Sequence, residues 1–211
     1  NYSYNSNPVI AWGYNGKVVV VWSGFDMCEN IASNALKYAY GSASSNGISW
    51  LTQCAIPNTD ANSINPTIIA DYTISATPFY YYLAWEQVVN TTTSKIYYDQ
   101  ITQGSNNYLS STSYQEISYP SGYSKNYQPS ILLRKVNTNS LPYVTWLGYR
   151  STPSSSTSVI SRYKQSGSWS SFSVYGNSLV QSFSINNAGY QYYQDILGLG
   201  WSESVSQGVP V

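Results

Sequence analysis

Histidine is absent from this chain of 211 residues. Without an imidazole there is no Ser-His-Asp or Cys-His nucleophile system and no His-ligated zinc site. Charge is also scarce. Nine Lys and Arg balance nine Asp and Glu, so the net charge is zero and 9% of residues are charged. So few cations assemble no basic patch, which excludes nucleic acid as a partner. No run of 18 apolar residues occurs, so no membrane-spanning helix is expected. The chain opens on Asn1-Tyr2-Ser3-Tyr4, which reads as the start of a mature or excised segment. Helical periodicity is missing throughout. Nothing calls for a metal or a cofactor.

Polarity comes instead from Ser, Thr, Asn and Gln, together with 23 tyrosines. Such a surface stays wet without ionisable groups, in the style of a secreted or cell-surface protein. Asn1-Tyr2-Ser3 and Asn90-Thr91-Thr92 are glycosylation sequons, whereas Asn65-Pro66-Thr67 is blocked by its proline. Cys28 and Cys54 are the only cysteines. An extracellular setting favours a disulfide between them, with two buried free thiols as the alternative.

The chain repeats itself. Lys17-Val18-Val19-Val20-Val21-Trp22 returns as Tyr80 to Trp85, Tyr143 to Trp146 and Ile196 to Trp201. The closing tryptophans stand 63, 61 and 55 residues apart. Each copy is a short β-branched and aromatic run without alternation, which reads as a strand buried on both faces. Asn7-Pro8-Val9-Ile10, Asn65-Pro66-Thr67-Ile68 and Gln128-Pro129-Ser130-Ile131 precede the runs, with proline at the first residue of an expected strand. A third strand follows each tryptophan, and a fourth follows a Gly/Ser/Asn turn.

Four short antiparallel strands in about 60 residues, buried on both faces, fit a β-propeller blade. The expected units are 7–63, 64–126, 127–182 and a partial 183–211, within one all-β segment spanning 1–211. Three and a half blades leave raw sheet edges. The remaining blades are therefore expected from a longer polypeptide or from another copy. Trp22, Trp85, Trp146 and Trp201 are expected in the core between blades.

Between the third and fourth strands of the first unit lies Ser42-Ala43-Ser44-Ser45-Asn46-Gly47-Ile48-Ser49-Trp50. This stretch resembles the Asp-box turn of the sialidase-like, BNR-repeat propellers. Ser42, Gly47, Ser49 and Trp50 match, Ser44 replaces the aspartate, and there is one extra residue before the glycine. In that family the turn is a folding device remote from the active face, which implies a structural role here. The resemblance also implies a catalytic arginine triad drawn from different blades. The only arginines here, Arg134, Arg150 and Arg162, all fall in the third unit.

In such a fold the loops after the second and fourth strands share one rim. That rim gathers 23–35, 57–64, 86–94, 120–128 and 147–157, with Asp26, Glu29, Glu86, Arg150, Tyr149 and Glu203 as candidate ligand-binding residues. Carboxylates and amides beside aromatic rings suit sugars, whose ring faces stack while their hydroxyls need fixed polar partners. The expected function is binding or adhesion toward a glycan or surface protein, outside the cell. A glycoside hydrolase completed by further blades, and a structural subunit of a surface layer, fibre or virion, are the alternatives.

Overall fold

A computed structural model describes residues 5–28, 31–71, 79–104, 106–118, 122–136, 139–150, 156–175, 180–187 and 197–203. At 15, 25–28, 31–34, 135–136, 139, 180–187 and 197–203 only the backbone is described. The described chain is all-β, with one 3-10 turn at Tyr14–Gly16.

Each sheet is an antiparallel meander in chain order. Sheet 1 contains β1 (Ser6–Trp12), β2 (Lys17–Cys28), β3 (Ile31–Ser44) and β4 (Gly47–Ala55). Sheet 2 contains β5 (Ser63–Ala70), β6 (Tyr80–Asn90) and β7 (Thr93–Gln103), then β8 (Leu109–Ser111) and β9 (Gln115–Glu116), which both pair with β7. Sheet 3 contains β10 (Lys125–Val136), β11 (Asn139–Arg150) and β12 (Ser156–Gln165), followed by β13 (Ser168–Trp169) and β14 (Ser173–Tyr175), both on β12. Sheet 4 is the pair β15 (Val180–Asn187) and β16 (Leu197–Glu203).

The sheets stack in sequence, first strand beside first strand: β1 near β5, β5 near β10, β10 near β15. Sheet 2 shows why the apolar runs do not alternate. Tyr81, Leu83 and Trp85 pack into a core with Val19, Val21, Tyr38 and Tyr40 of sheet 1. The intervening Tyr82 and Ala84 join a second core with Ile131, Val144 and Trp146 of sheet 3. Successive side chains of a strand point to opposite faces, so β6 must be apolar at every position. Hydrogen bonds cross the same interfaces. The Tyr38 phenol accepts from Leu109 N at 3.0 Å, and Tyr40 donates to Gln103 Oε1 at 2.6 Å.

Two features differ from the sequence reading. The stretches after the second strands are paired strand rather than open loop: β2 reaches Cys28, and β6 turns back through Thr91-Thr92 alone. The backbone ladder needs no apolar side chains to continue, and Asn90 Oδ1 closes the turn by accepting from Thr92 N and Oγ1, both at 2.9 Å. The fourth strands of sheets 2 and 3 are split in two. Side chains replace the ladder at each break: Ser113 N donates to Asp99 Oδ1, and Tyr163 N donates to Ser170 Oγ.

The Ser42–Trp50 turn is built locally. Ser44 Oγ, where the family pattern has aspartate, accepts from Asn46 N and donates to Gly47 O, each at 3.3 Å. Gly47 has φ of 117°, a backbone region open mainly to glycine. Lys17 Nζ donates to Ser42 Oγ at 2.8 Å, and Ser49 pairs with Ser42 across the strands. Trp85 and Trp146 are fully buried and Trp22 is half-buried, whereas Trp50 of the turn stands half exposed. Its strand row, Trp12–Val18–Gly41–Trp50, lies on the face of sheet 1 turned away from sheet 2. The Trp201 side chain lies outside the described residues.

Candidate functional site

Each of the first three sheets begins with the same distortion. The ladder slips between Ser6 and Val9, between Ile64 and Thr67, and between Tyr127 and Ser130. At each slip the residue before proline has a left-handed backbone: Asn7 at φ 53°, Asn65 at 50° and Gln128 at 51°. Proline has no N–H to give to a ladder, so the break falls where the pairing is already incomplete. Bulges of this kind re-aim side chains and cluster beside functional sites.

The bulges are linked from sheet to sheet. Asn7 Nδ2 donates to Asn65 Oδ1 at 2.6 Å. Asn65 Nδ2 donates in turn to Glu86 Oε2 at 2.9 Å, and Gln128 N reaches the same oxygen at 3.4 Å. Glu86, one residue beyond Trp85, is buried and held by amide donors. A carboxylate taken from water needs such donors. Beside it Gln87 Nε2 donates to Asp60 Oδ1 at 2.8 Å, while Ser63 Oγ donates to Gln87 Oε1 at 2.7 Å.

A stack of rings flanks this polar row. Trp85 and Tyr97 lie 5.9 Å apart between centroids, and Tyr97 and Tyr114 5.2 Å apart with planes 14° from parallel. Tyr114 also lies 5.9 Å from Trp85. The stack runs from a fully buried tryptophan to Tyr114, which is 45% exposed. Burial pushes the Tyr114 phenol up to about 12, with Tyr97 and the carboxylates of Asp60 and Glu116 adding to the rise. Lys95 and Glu116 close one side with an ion pair of 2.9 Å. The arrangement offers a rigid apolar ring beside fixed carboxylates, amides and an ammonium.

The candidates from sequence are distributed as follows. Glu86 joins Asn65, Gln128 and Asn7. Arg150 lies against Tyr123, its guanidinium 4.6 Å from the ring centroid, and the carbonyl of Tyr149 accepts from Ser124 N at 2.9 Å. Those two residues form a separate patch on sheet 3. The side chains of Asp26 and Glu203, and Glu29 and Asn1 entirely, lie outside the described residues. Asn90 is exposed at its hairpin turn. Cys54 is disulfide-bonded, and Cys28 is the only other cysteine. Sequence reasoning passed over Asn7, Asn65, Gln128, Tyr97 and Tyr114. The first three had a signal, an amide residue before each strand-opening proline. The tyrosines had none among so many others.

The arginines do not converge. Arg134 pairs opposite Leu141 near one end of sheet 3, and Arg150 closes β11 at the other. Arg162 ties sheet 3 to sheet 2 by donating to Ser170 O at 2.8 Å and Ile117 O at 3.0 Å, and burial lowers its pKa. Among the described residues no cluster of three His, Cys, Asp or Glu side chains is assembled, and no helix is long and apolar enough to cross a membrane.

At the opposite end of sheets 2 and 3 lies a cavity of about 520 Å³, bordered by Tyr82, Tyr98, Ser140 and Lys164. Several of its polar groups have protein partners, whereas the buried Tyr98 hydroxyl has none among the described residues. Tyr82 and Ser140 donate to the two carboxylate oxygens of Asp71, at 3.1 and 3.0 Å. Lys164 Nζ donates to Ser113 Oγ at 2.7 Å and lies 4.9 Å from the Tyr98 ring centroid. Burial lowers the Lys164 pKa, against the pull of Asp99. The bulge row differs in ending on an exposed ring, that of Tyr114. No family model matches this chain, and no curated protein or solved structure matches it.

Proposed function

We propose that this chain is a segment of a sialidase-like β-propeller, displayed outside the cell, that binds glycans at the rim formed by its first-strand bulges. Radial stacking is supported by the order of the first strands, by a middle sheet buried on both faces, and by bulges that recur at one level in three sheets. The observation that carries the binding reading is the Trp85–Tyr97–Tyr114 stack, which ends in an exposed ring beside Asp60, Gln87 and Glu116. A pyranose face stacks on such a ring while its hydroxyls meet carboxylate and amide partners. Binding is favoured over hydrolysis because the arginines lie apart and the rim carboxylate Glu86 is tied up by amides.

The test is a glycan array probed with the intact chain, followed by calorimetry on the best ligand. Replacing Tyr114 with Ala should weaken binding about tenfold, equivalent to roughly 1.4 kcal/mol, and Glu86→Gln should weaken it too. A blank array, or affinity indifferent to Tyr114, would count against the proposal.

A further inference from the structure

The cavity between sheets 2 and 3 is framed by regular strands. β6 and β7 form one wall, and Leu141 and Pro142 of β11 form the other. The turn after β12 stands at its mouth, where Ser166 and Gly167 are exposed. Gln165 pairs with Ser168, and between them Ser166 and Gly167 hold φ of 51° and 83°. Positive φ at both central residues marks the tight two-residue hairpin whose twist matches its strands. Tyr98, completely buried, lies at the inner end. A volume of about 520 Å³ suits a small molecule.

Two groups there are short of partners. The Tyr98 hydroxyl is buried and bonds to no group among the described residues. Such a group is costly to bury, so in a native fold it calls for an explanation. Lys164 is the only charged side chain among the described residues bordering the cavity. Its Nζ donates to Ser113 Oγ at 2.7 Å, lies 4.9 Å from the Tyr98 ring centroid and forms no ion pair among the described residues. An ammonium has three donors, so two remain. Burial lowers the Lys164 pKa, as for an ammonium short of counter-charge, although Asp99 pulls the other way. Asp71 is engaged elsewhere, its two oxygens accepting from Tyr82 and Ser140.

We propose that this cavity binds a small organic carboxylate, whose oxygens accept from Lys164 Nζ and the Tyr98 hydroxyl while a compact apolar body lies against Leu141 and Pro142. A carboxylate is an acceptor only, and both open groups have a proton to donate. A cationic ligand would meet Lys164 with no counter-charge. A neutral polyol would satisfy the hydroxyl but leave the ammonium unpaired. Hydrogen bonds that carry a charge are the stronger ones, and a partly enclosed site strengthens them further. The site lies at the opposite end of the sheets from the bulge row and does not depend on glycan binding there.

Titration calorimetry of the intact chain with acetate, cyclohexanecarboxylate and benzoate tests this, with benzyl alcohol and benzylammonium as the neutral and cationic counterparts of benzoate. At least one carboxylate should bind saturably, and the alcohol and the ammonium should bind far more weakly. Lys164→Met should weaken carboxylate binding about tenfold or more, the loss of one charged hydrogen bond. Tyr98→Phe should weaken it too, without lowering the thermal midpoint of the ligand-free chain, because the hydroxyl removed bonds to no described group. Lys125→Met removes the same charge from the other end of sheet 3 and should leave binding unchanged. No saturable binding of any of the three carboxylates, benzyl alcohol binding as tightly as benzoate, or affinity indifferent to Lys164→Met overturns the proposal.

Discussion

Asn65 donates its side-chain amide to the carboxylate of Glu86 at 2.9 Å, from the left-handed residue of one strand to the residue after the buried tryptophan of the next. Truncating Glu86 to Ala removes the acceptor for both Asn65 and Gln128 N. Both donors are partly open to water, so the loss is that of an ordinary hydrogen bond, about 0.5–1.5 kcal/mol. Urea unfolding should show a loss of that size for Glu86→Ala and a smaller one for Glu86→Gln, which keeps a carbonyl oxygen.

Gln128 is exposed and holds φ of 51°. That conformation costs a residue with a Cβ about 1–2 kcal/mol, partly offset in glycine by greater unfolded-state entropy. Gln128→Gly retains the N–H that meets Glu86 and should raise stability by up to about 1 kcal/mol. The same change at Asn65 also discards a side-chain hydrogen bond and should not stabilise. Thermal unfolding of the two variants separates backbone relief from side-chain loss.

Ile10 and Ile68 hold the same place in successive sheets but differ in exposure, 59% against 9%. Ile68→Ala should cost about 2–5 kcal/mol through lost burial and the cavity left behind. Ile10→Ala should change the unfolding of the dilute chain by less than about 0.5 kcal/mol. Denaturant midpoints measured at low protein concentration check the contrast.

Tyr40 is held up at about 12 by burial, and Tyr114 at about 12 by burial and by Tyr97. A phenol whose folded pKa lies above the unfolded value of about 10 contributes stability that is complete below pH 10. That contribution drains away as pH rises toward 12. Ultraviolet titration at high pH should therefore show late-ionising tyrosines, and the denaturation midpoint should fall across the interval between pH 10 and 12.

Cys54 is disulfide-bonded, and Cys28 is its only possible partner within the chain. Cys28 pairs with Ile31 at the hairpin end, whereas Cys54 pairs with Tyr38. A Cys28–Cys54 bond ties the end of the β2–β3 hairpin to β4. Reduction should free it, seen as new protease cleavage between Gly24 and Ala35 and a loss of about 2–4 kcal/mol.

The tryptophan-ended strands and the meander order were legible because burial on two faces writes itself into every position from Tyr81 to Trp85 of β6. The bulges were less legible. Asn-Pro and Gln-Pro read as ordinary strand openings, since a left-handed backbone at Gln128 leaves no mark in residue type. The hairpin ends were mistaken for loops because Gln87 and Asn90 are polar, although the ladder they continue is made by backbone. Of the candidate site, Glu86 was visible from its position after Trp85. The ring stack was not, because Tyr114 comes from a broken fourth strand and meets Tyr97 only after the sheet folds.

The alternating division of β6 between two neighbours has a further consequence. Inserting or deleting one residue between Tyr81 and Trp85 would exchange the side chains shown to sheets 1 and 3 in a single stroke, because a shift by one turns every side chain to the other surface. Length variation should therefore be lethal inside this pentapeptide yet harmless at the Thr91-Thr92 turn a few residues on, giving the chain a sharp genetic boundary between spacing that is fixed and spacing that is free.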